Sequence, residues 1–399
     1  MADAKLTPSP AALELAAPTR VVFGAGAAAL VGALARELGA HALVVTGRAS
    51  ERASGIVASL AAAGVRATTF AVAGEPTVDL ARAGVTAARA AGCELVVAFG
   101  GGSALDAAKA IAALLGNGGD PLDYLEVVGR GQPITQPSLP TIAIPTTAGT
   151  GSEVTKNAVL ASPDAGLKAS LRSPLMLPRI ALVDPDLLAR LPAPVVAASG
   201  LDALSQLIEP LVSVRATPVT SDLARAGIRL SAGALGRAHA AAKAGAELAP
   251  PDREALALAS LYGGLCLANA GLGAVHGFAA PVGGMFTAPH GAVCAALLPA
   301  VMRVNARALS ERAPSTPALV RLREVAALVT GRPEATIRDG VSWLEALRAA
   351  LEIPGLARYG LTSTRVPELV AKARAASSMK GNPIVLTDAE LTEIATASL

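Results

Sequence analysis

The chain has 399 residues, 52% hydrophobic, 16% charged and 2% aromatic, with a formal net charge of +3. Its length and apolar content fit two domains with substantial cores and exclude a disordered chain. Scattered Lys and Arg without a basic cluster, and few aromatic rings, speak against nucleic acid as a partner.

Cys93, Cys266 and Cys294, with no CxxC pair, predict neither a disulfide framework nor a cysteine-held zinc. The opening MADAKLTPSPAALELAAPTR lacks the basic stretch, apolar core and cleavage site of a secretion signal. It reads as a short disordered lead, and a cytoplasmic location is expected.

In chain order, HALVVTG (41–47) predicts a buried strand and ERASGIVASLAAAG a helix ending at Gly64. RATTFAV (66–72) is a second strand, followed by the helical VDLARAGVTAARAAG. ELVVAFGGGS (94–103) is a strand running into glycines, and SALDAAKAIAALLG a helix capped by Ser103. TIAIPTT (141–147) and RIALVDP (179–185) are further strands. This alternation predicts βαβ units around a parallel sheet, and the near-continuous apolar strands predict helices on both faces. After Asp184 the turn-rich DPDLLARLPAP leads into long Ala/Leu patterns without strand runs. The expected division is a Rossmann-like α/β domain over residues 1–192 and an all-helical domain over residues 193–399.

From Ala255 to Met302 there is no Asp, Glu, Lys or Arg. Glycines and prolines break this stretch, and freed backbone groups there would be costly in lipid. With one Tyr, no Trp and hence no aromatic belt, it reads as a pair of buried helices rather than a membrane hairpin. His276 and His290 lie within it, and imidazoles in such surroundings need partners. His41 and His239 read as structural or surface residues.

Two loops carry ligand chemistry. Gly100–Gly101–Gly102–Ser103 joins a strand to a helix, where free N–H groups and the helix dipole suit a diphosphate. Asp106 and Lys109 follow on one helical face and could form an ordinary surface ion pair. The second loop, Pro145-Thr-Thr-Ala-Gly-Thr-Gly-Ser-Glu153, leaves a strand end, where open α/β sheets bind ligands.

GGGSALDAAK followed by PTTAGTGSEVT resembles the iron-containing alcohol dehydrogenase family, within the dehydroquinate-synthase-like fold group. FGAGAAALVGAL resembles the family's opening and SSMKGNPIVLTDAEL its closing segment, so the resemblance runs over nearly the whole chain. It implies that the first domain binds a nicotinamide nucleotide and the second holds metal and substrate. Gly101, Gly102 and Ser103 would contact the cofactor diphosphate, with Asp106 nearby. Thr146, Thr147 and Thr150 would line the nicotinamide end, and Asn157 and Lys168 would reach the ribose region. Many family members carry Asp at the position of Gly47. Here that carboxylate is absent and Arg48 and Arg52 stand close by, which favours NADP over NAD, although Glu51 lies between them.

The family's divalent metal, Fe(II) or Zn, is held by an Asp and three His. Asp202 matches the aspartate, and the histidine one turn later is replaced by Gln206. His276 and His290 match the other two, and Ala280 stands where a further histidine is often found. Gln is neutral and a poorer ligand than imidazole, so reduced metal affinity is expected. The resemblance implies a metal-dependent alcohol dehydrogenase or aldehyde reductase, forming dimers or larger assemblies. Hydride would pass between NAD(P)(H) and a small alcohol or carbonyl, with Asp202, His276 and His290 as the catalytic set. Phe278, Met285 and Phe286 suggest a weakly polar substrate. The alternatives are a maleylacetate-reductase-like enzyme, a nucleotide-binding protein without dehydrogenase activity, and a dehydroquinate-synthase-like lyase.

Overall fold

The computed structural model describes residues 14–163 and 167–399. Most of the expected disordered lead lies outside the described residues. At its end Ala16 is not free, because its amide and carbonyl both bond the Asn269 side chain. The chain then runs through β1 (Arg20–Phe23), α1 (Val31–Arg36), β2 (His41–Gly47), α2 (Ser54–Ala62), β3 (Arg66–Val72), α3 (Val78–Ala91), β4 (Leu95–Gly100) and α4 (Gly102–Asn117). The short α5 (Pro121–Tyr124) precedes β5 (Thr141–Pro145), β6 (Asn157–Ser162), β7 (Leu167–Arg172) and β8 (Ile180–Val183).

Six strands form one parallel sheet in the order β1-β8-β5-β4-β2-β3, and β6 and β7 form a separate antiparallel hairpin. The central strands alternate between two cores. Leu43 and Val45 of β2 face α3 and α4, whereas Ala42 and Val44 face α1 and α2. Strands buried on both faces are the cause of the unbroken apolar runs. Helix α3 is capped by Thr77, whose hydroxyl accepts from Leu80 N–H, and ends at Gly92 in the left-handed conformation.

From α6 onward the described residues contain only helices: α6 (Ala193–Val212), α7 (Pro218–Lys243), α8 (Pro250–Ala270), α9 (Ala274–Met285), α10 (His290–Arg312), α11 (Pro317–Thr330), α12 (Ile337–Ala350), α13 (Val366–Ala375) and α14 (Asp388–Ala397). The uncharged stretch forms three helices rather than the expected pair: most of α8, all of α9 and half of α10. By length and hydropathy α6 and α10 could each cross a membrane, but their apolar windows are 83% and 89% buried inside the protein.

Two local expectations need correction. Helix α4 starts at Gly102 with Gly101 as its N-cap, so Ser103 lies inside the first turn and does not cap it. The Asp106–Lys109 pair is not a surface pair. Lys109 is 1% exposed, and its Nζ donates to the Ser152 carbonyl and the Thr155 hydroxyl, both at 2.9 Å, and lies 3.3 Å from Asp106. Asp106 also accepts from Ser152 Oγ (2.5 Å) and Val159 N–H (2.9 Å). This network ties α4 to the Thr-rich loop and to β6.

Glu153, fully buried in the same loop, has an Oε2 without a hydrogen-bond partner, and burial pushes its carboxyl up to about 7. A folded-state value raised above the unfolded one binds extra protons in the folded chain. Its stability contribution is therefore complete below about pH 4.5 and lost as pH rises toward 7. Replacing Glu153 by Gln removes this dependence. Between pH 5 and 8 the wild type should lose on the order of 3 kcal/mol more stability than Glu153→Gln in denaturant titrations. Parallel curves would show that Glu153 ionises normally.

Candidate metal and cofactor site

The strand order reverses between β2 and β4, which makes the ends of these strands the switch point where open α/β sheets bind ligands. Gly47 ends β2, Gly100 ends β4, and the Thr146 N–H bonds the Gly100 carbonyl at 2.9 Å. The two loops pack together here. A side chain at Gly102 would run into Thr150, and one at Gly101 would touch Thr147. The start of α4, with Ser103 in its first turn, thus packs against Thr147 and Thr150, and Thr146 is buried.

Asp106 sits below this cradle with both oxygens committed to the buried network, so its role there is to hold the loops. Asn157 begins β6. Lys168, on β7, pairs with Glu75 at 3.1 Å and reaches the helical half beside Gly283 of α9. Arg48 donates through Nε and Nη2 to the Ala73 carbonyl, which fixes its guanidinium beside the ends of β2 and β3.

Helix α6 links this cradle to the second constellation. Gly149 of the Thr-rich loop lies against Ser199, and any Cβ at Gly149 would overlap that residue. Asp202 follows three residues on, then Gln206 and Glu209, so all three share one side of the helix. Gly291 of α10 lies against the Ala198 carbonyl, where no Cβ fits, and this brings His290 and Cys294 over Asp202. His276 projects from the first turn of α9.

Donor atoms of Asp202, His276, His290 and Cys294 all lie within 4.8 Å of one another. His290 is the member open to the cleft: its side chain is 42% exposed, against 3% for Asp202 and 6% for His276. The structure thus brings Asp202, His276 and His290 around one point, with the Gln206 amide on Asp202. The Cys294 sulfur lies among them.

Glu209, which sequence reasoning missed, anchors the cluster. Its Oε2 lies 2.7 Å from His276 Nδ1, and its Oε1 accepts the Val275 N–H at 2.6 Å. Fixing Nδ1 leaves Nε2 facing Asp202 and Cys294. Asn382, in the closing SSMKGNP segment, accepts the Ala274 N–H and exchanges amide bonds with Asn305. A lone carboxylate in an apolar helix, two turns after Asp202, was the available signal for Glu209.

Burial would push Asp202 up, but the charges of His290 and His276 and a bond from the Gln206 amide hold it below the ordinary carboxylate value. Burial likewise opposes charge on His276, yet Cys294, Asp202 and Glu209 raise it well above the usual imidazole range. Cys294, against burial and with help from Asp202, raises His290 to about 9. The substrate-facing expectation changes too. Phe278 is wholly buried in the core, whereas Phe286 is partly exposed with Arg365 stacked on its ring at 4.9 Å. His41 and His239 are buried structural residues.

A glycine- and threonine-lined cradle at the switch point, one helical turn from converging donor atoms, has the organisation of a hydride-transferring oxidoreductase. The family profile described as iron-containing alcohol dehydrogenase matches residues 18–185, and that for the family's C-terminal region matches residues 196–399. The lactaldehyde reductase of Escherichia coli (strain K12) is 32% identical over 93% of this chain and 96% of its own length. The NAD-dependent methanol dehydrogenase of Bacillus methanolicus is 32% identical over 94% and 97%. A crystal structure of a 1,3-propanediol oxidoreductase superposes with a TM-score of 0.88 and 30% identity, covering 97% of this chain and all of that one.

The chain belongs to the iron-containing alcohol dehydrogenase family. Its activity is that of a metal-dependent alcohol dehydrogenase or aldehyde reductase using a nicotinamide cofactor.

The residues present fit both groups. Gln206 Oε1 is buried with no hydrogen-bond partner, a lone pair that a cation would satisfy. At Gly102 the backbone approaches the Thr150 side chain so closely that a Cβ would fill the space between them. Because Glu209 orients His276, Glu209→Gln should weaken divalent-metal affinity 10–100-fold, as read by competition with a chromophoric chelator. Unchanged affinity would reduce Glu209 to a helix-capping residue.

Proposed function

We propose that this enzyme reduces small, weakly polar aldehydes or ketones with NADPH, using a divalent metal held at Asp202, His276 and His290. The observation that carries the reading is the seat of Gly149 on Ser199, which sets the nucleotide loop one turn from Asp202. The metal supplies Lewis acidity toward a substrate oxygen, and the nicotinamide carries the hydride. The chain's own part is placement. Gly101, Gly102 and Ser103 offer amides to the diphosphate. Thr146, Thr147 and Thr150 line the nicotinamide end, and Asn157 and Lys168 serve the ribose region. Lys168 reaches α9 from β7 and so helps close the cleft against water.

The NADP preference rests on this chain alone. A Cβ at Gly47 would meet no atom within 4 Å, so the ribose pocket is open and carries no carboxylate at that position. Arg48 is anchored beside it. The relatives, a lactaldehyde reductase and a methanol dehydrogenase, support a small substrate, although the second is NAD-dependent. We further propose a division into residues 1–192 and 193–399, and a cytoplasmic location consistent with three free cysteines. A homodimer would find a pairing surface on edge strand β1, where Val21 is exposed.

The test is NADPH oxidation with a panel of short aldehydes, using chelator-stripped protein and protein reloaded anaerobically with Fe(II) or Zn. Turnover should disappear on stripping and return with metal. Activity indifferent to stripping would overturn the metal reading. Arg48→Ala should raise the KM for NADPH about tenfold while moving that for NADH much less. Equal shifts for both cofactors would remove the NADP preference.

A further inference from the structure

We propose that Cys294 is a ligand of the divalent metal beside Asp202, His276 and His290, supplying the strong donor that is missing where the neutral Gln206 replaces an imidazole. The inference rests on the metal-site reading above and concerns which side chains complete it.

Four distances carry it. Asp202 Oδ1 lies 3.3 Å from His276 Nε2 and 3.7 Å from His290 Nε2. Cys294 Sγ lies 3.7 Å from each of the same two nitrogens. Nitrogen–oxygen hydrogen bonds mostly close to about 2.7–3.2 Å, as the His276 Nδ1–Glu209 contact at 2.7 Å does. The two nitrogen–oxygen distances inside the cluster are longer than that, and the two sulfur contacts sit at the long end of the range for a thiol. These four of the six donor spacings fall in the range of the edges of a coordination tetrahedron, and all four donors lie within 4.8 Å of one another. Donors bound to one ion at about 2.0–2.3 Å stand roughly 3.3–3.8 Å apart.

The local structure explains how a cysteine arrives there. His290 and Cys294 are four residues apart on α10, so their side chains share one face. Asp202 and Gln206 have the same spacing on α6. Gly291 lets the two helices touch at Ala198, and each helix then offers a pair of side chains to the same point. Gln206 is neutral, and its amide donates to Asp202. Cys294 is fully buried and forms no disulfide.

On binding, the protons that the sulfur and the two imidazole Nε2 atoms hold among them pass to solvent, and the deprotonated sulfur forms the metal bond. The bound anions, one carboxylate and one thiolate, then balance the charge of a divalent ion. Such a donor set suits Zn, Fe(II) or Co(II) rather than Mg or Mn.

The test is optical and needs no turnover. Full-length protein is stripped with chelator and loaded anaerobically with Co(II), and metal content and absorption are measured together. Wild type should bind one Co(II) with an intense near-ultraviolet thiolate-to-metal band. Cys93→Ser and Cys266→Ser should retain that band. Cys294→Ser should lose it, release one proton fewer on loading, and lose at least about 100-fold in Co(II) affinity, since even supporting residues cost 10–100-fold. If Cys294→Ser alone fails to fold, the pair Cys294→Ser with Gln206→His restores a four-donor set and should bind Co(II) without the thiolate band.

Co(II) bound without the band in wild type, or a band that survives Cys294→Ser, would overturn the cysteine ligand and leave the metal site standing. Wild type that retains no Co(II) would overturn both.

Discussion

The site depends on how closely other segments can approach α6. Gly149 seats the nucleotide loop on Ser199, and Gly291 seats α10 on the Ala198 carbonyl. Both contacts fall in the turn just before Asp202. From Ser199 to Glu209 the helix rises about 15 Å, so one rigid element sets the separation of the cofactor loop, the donor cluster and the carboxylate behind His276. A methyl group at either glycine would force the segments apart. The packing cost of about 1–3 kcal/mol would matter less than the shift of donors that must converge within a few tenths of an ångström.

Buried polar groups divide into two kinds, and the division separates scaffold from site. Asp106, Lys109, Ser152 and Thr155 satisfy one another and hold the two loops together. Such a network costs little beyond its desolvation because nearly every donor finds an acceptor. Around Asp202 the pattern differs. Two imidazole nitrogens, a carboxylate oxygen and a sulfur converge on one point through contacts of 3.3 to 3.7 Å, and the Gln206 carbonyl has no partner. A buried carbonyl without a partner, set beside converging donors, leaves a debt that an ion can settle.

Much of this was legible in the sequence. Central strands buried on both faces leave unbroken apolar runs, so β2, β4, β5 and β8 could be read directly. β1 could not, because it is a four-residue edge strand with half its residues exposed. The β6–β7 hairpin was missed because its Ala, Ser and Asn residues alternate only weakly, although Asn157 and Lys168 lie on it. Ser103 was assigned as the cap because serine is the better capping residue, whereas the turn needs the backbone of Gly101 there. Phe278 was assigned to a substrate surface by its nearness in sequence to His276. At i+2 on a helix it points to a different side, and that side is core.

The metal centre shows the limit of reading ligands one position at a time. Along α6 the sequence records only a loss, a histidine replaced by Gln206. A centre is defined by where donors converge, and α10 reaches the same point because Gly291 removes the side chain that would separate the helices. A donor can therefore come from either helix while the ion keeps its place between Asp202, His276 and His290. The exchange is not neutral in charge. A thiolate in place of an imidazole adds a second bound anion to Asp202, which strengthens the hold on a soft divalent ion and lessens its pull on a substrate oxygen. Sequence spacing leaves Cys294 an ordinary buried cysteine; the packing of two helices gives it chemistry.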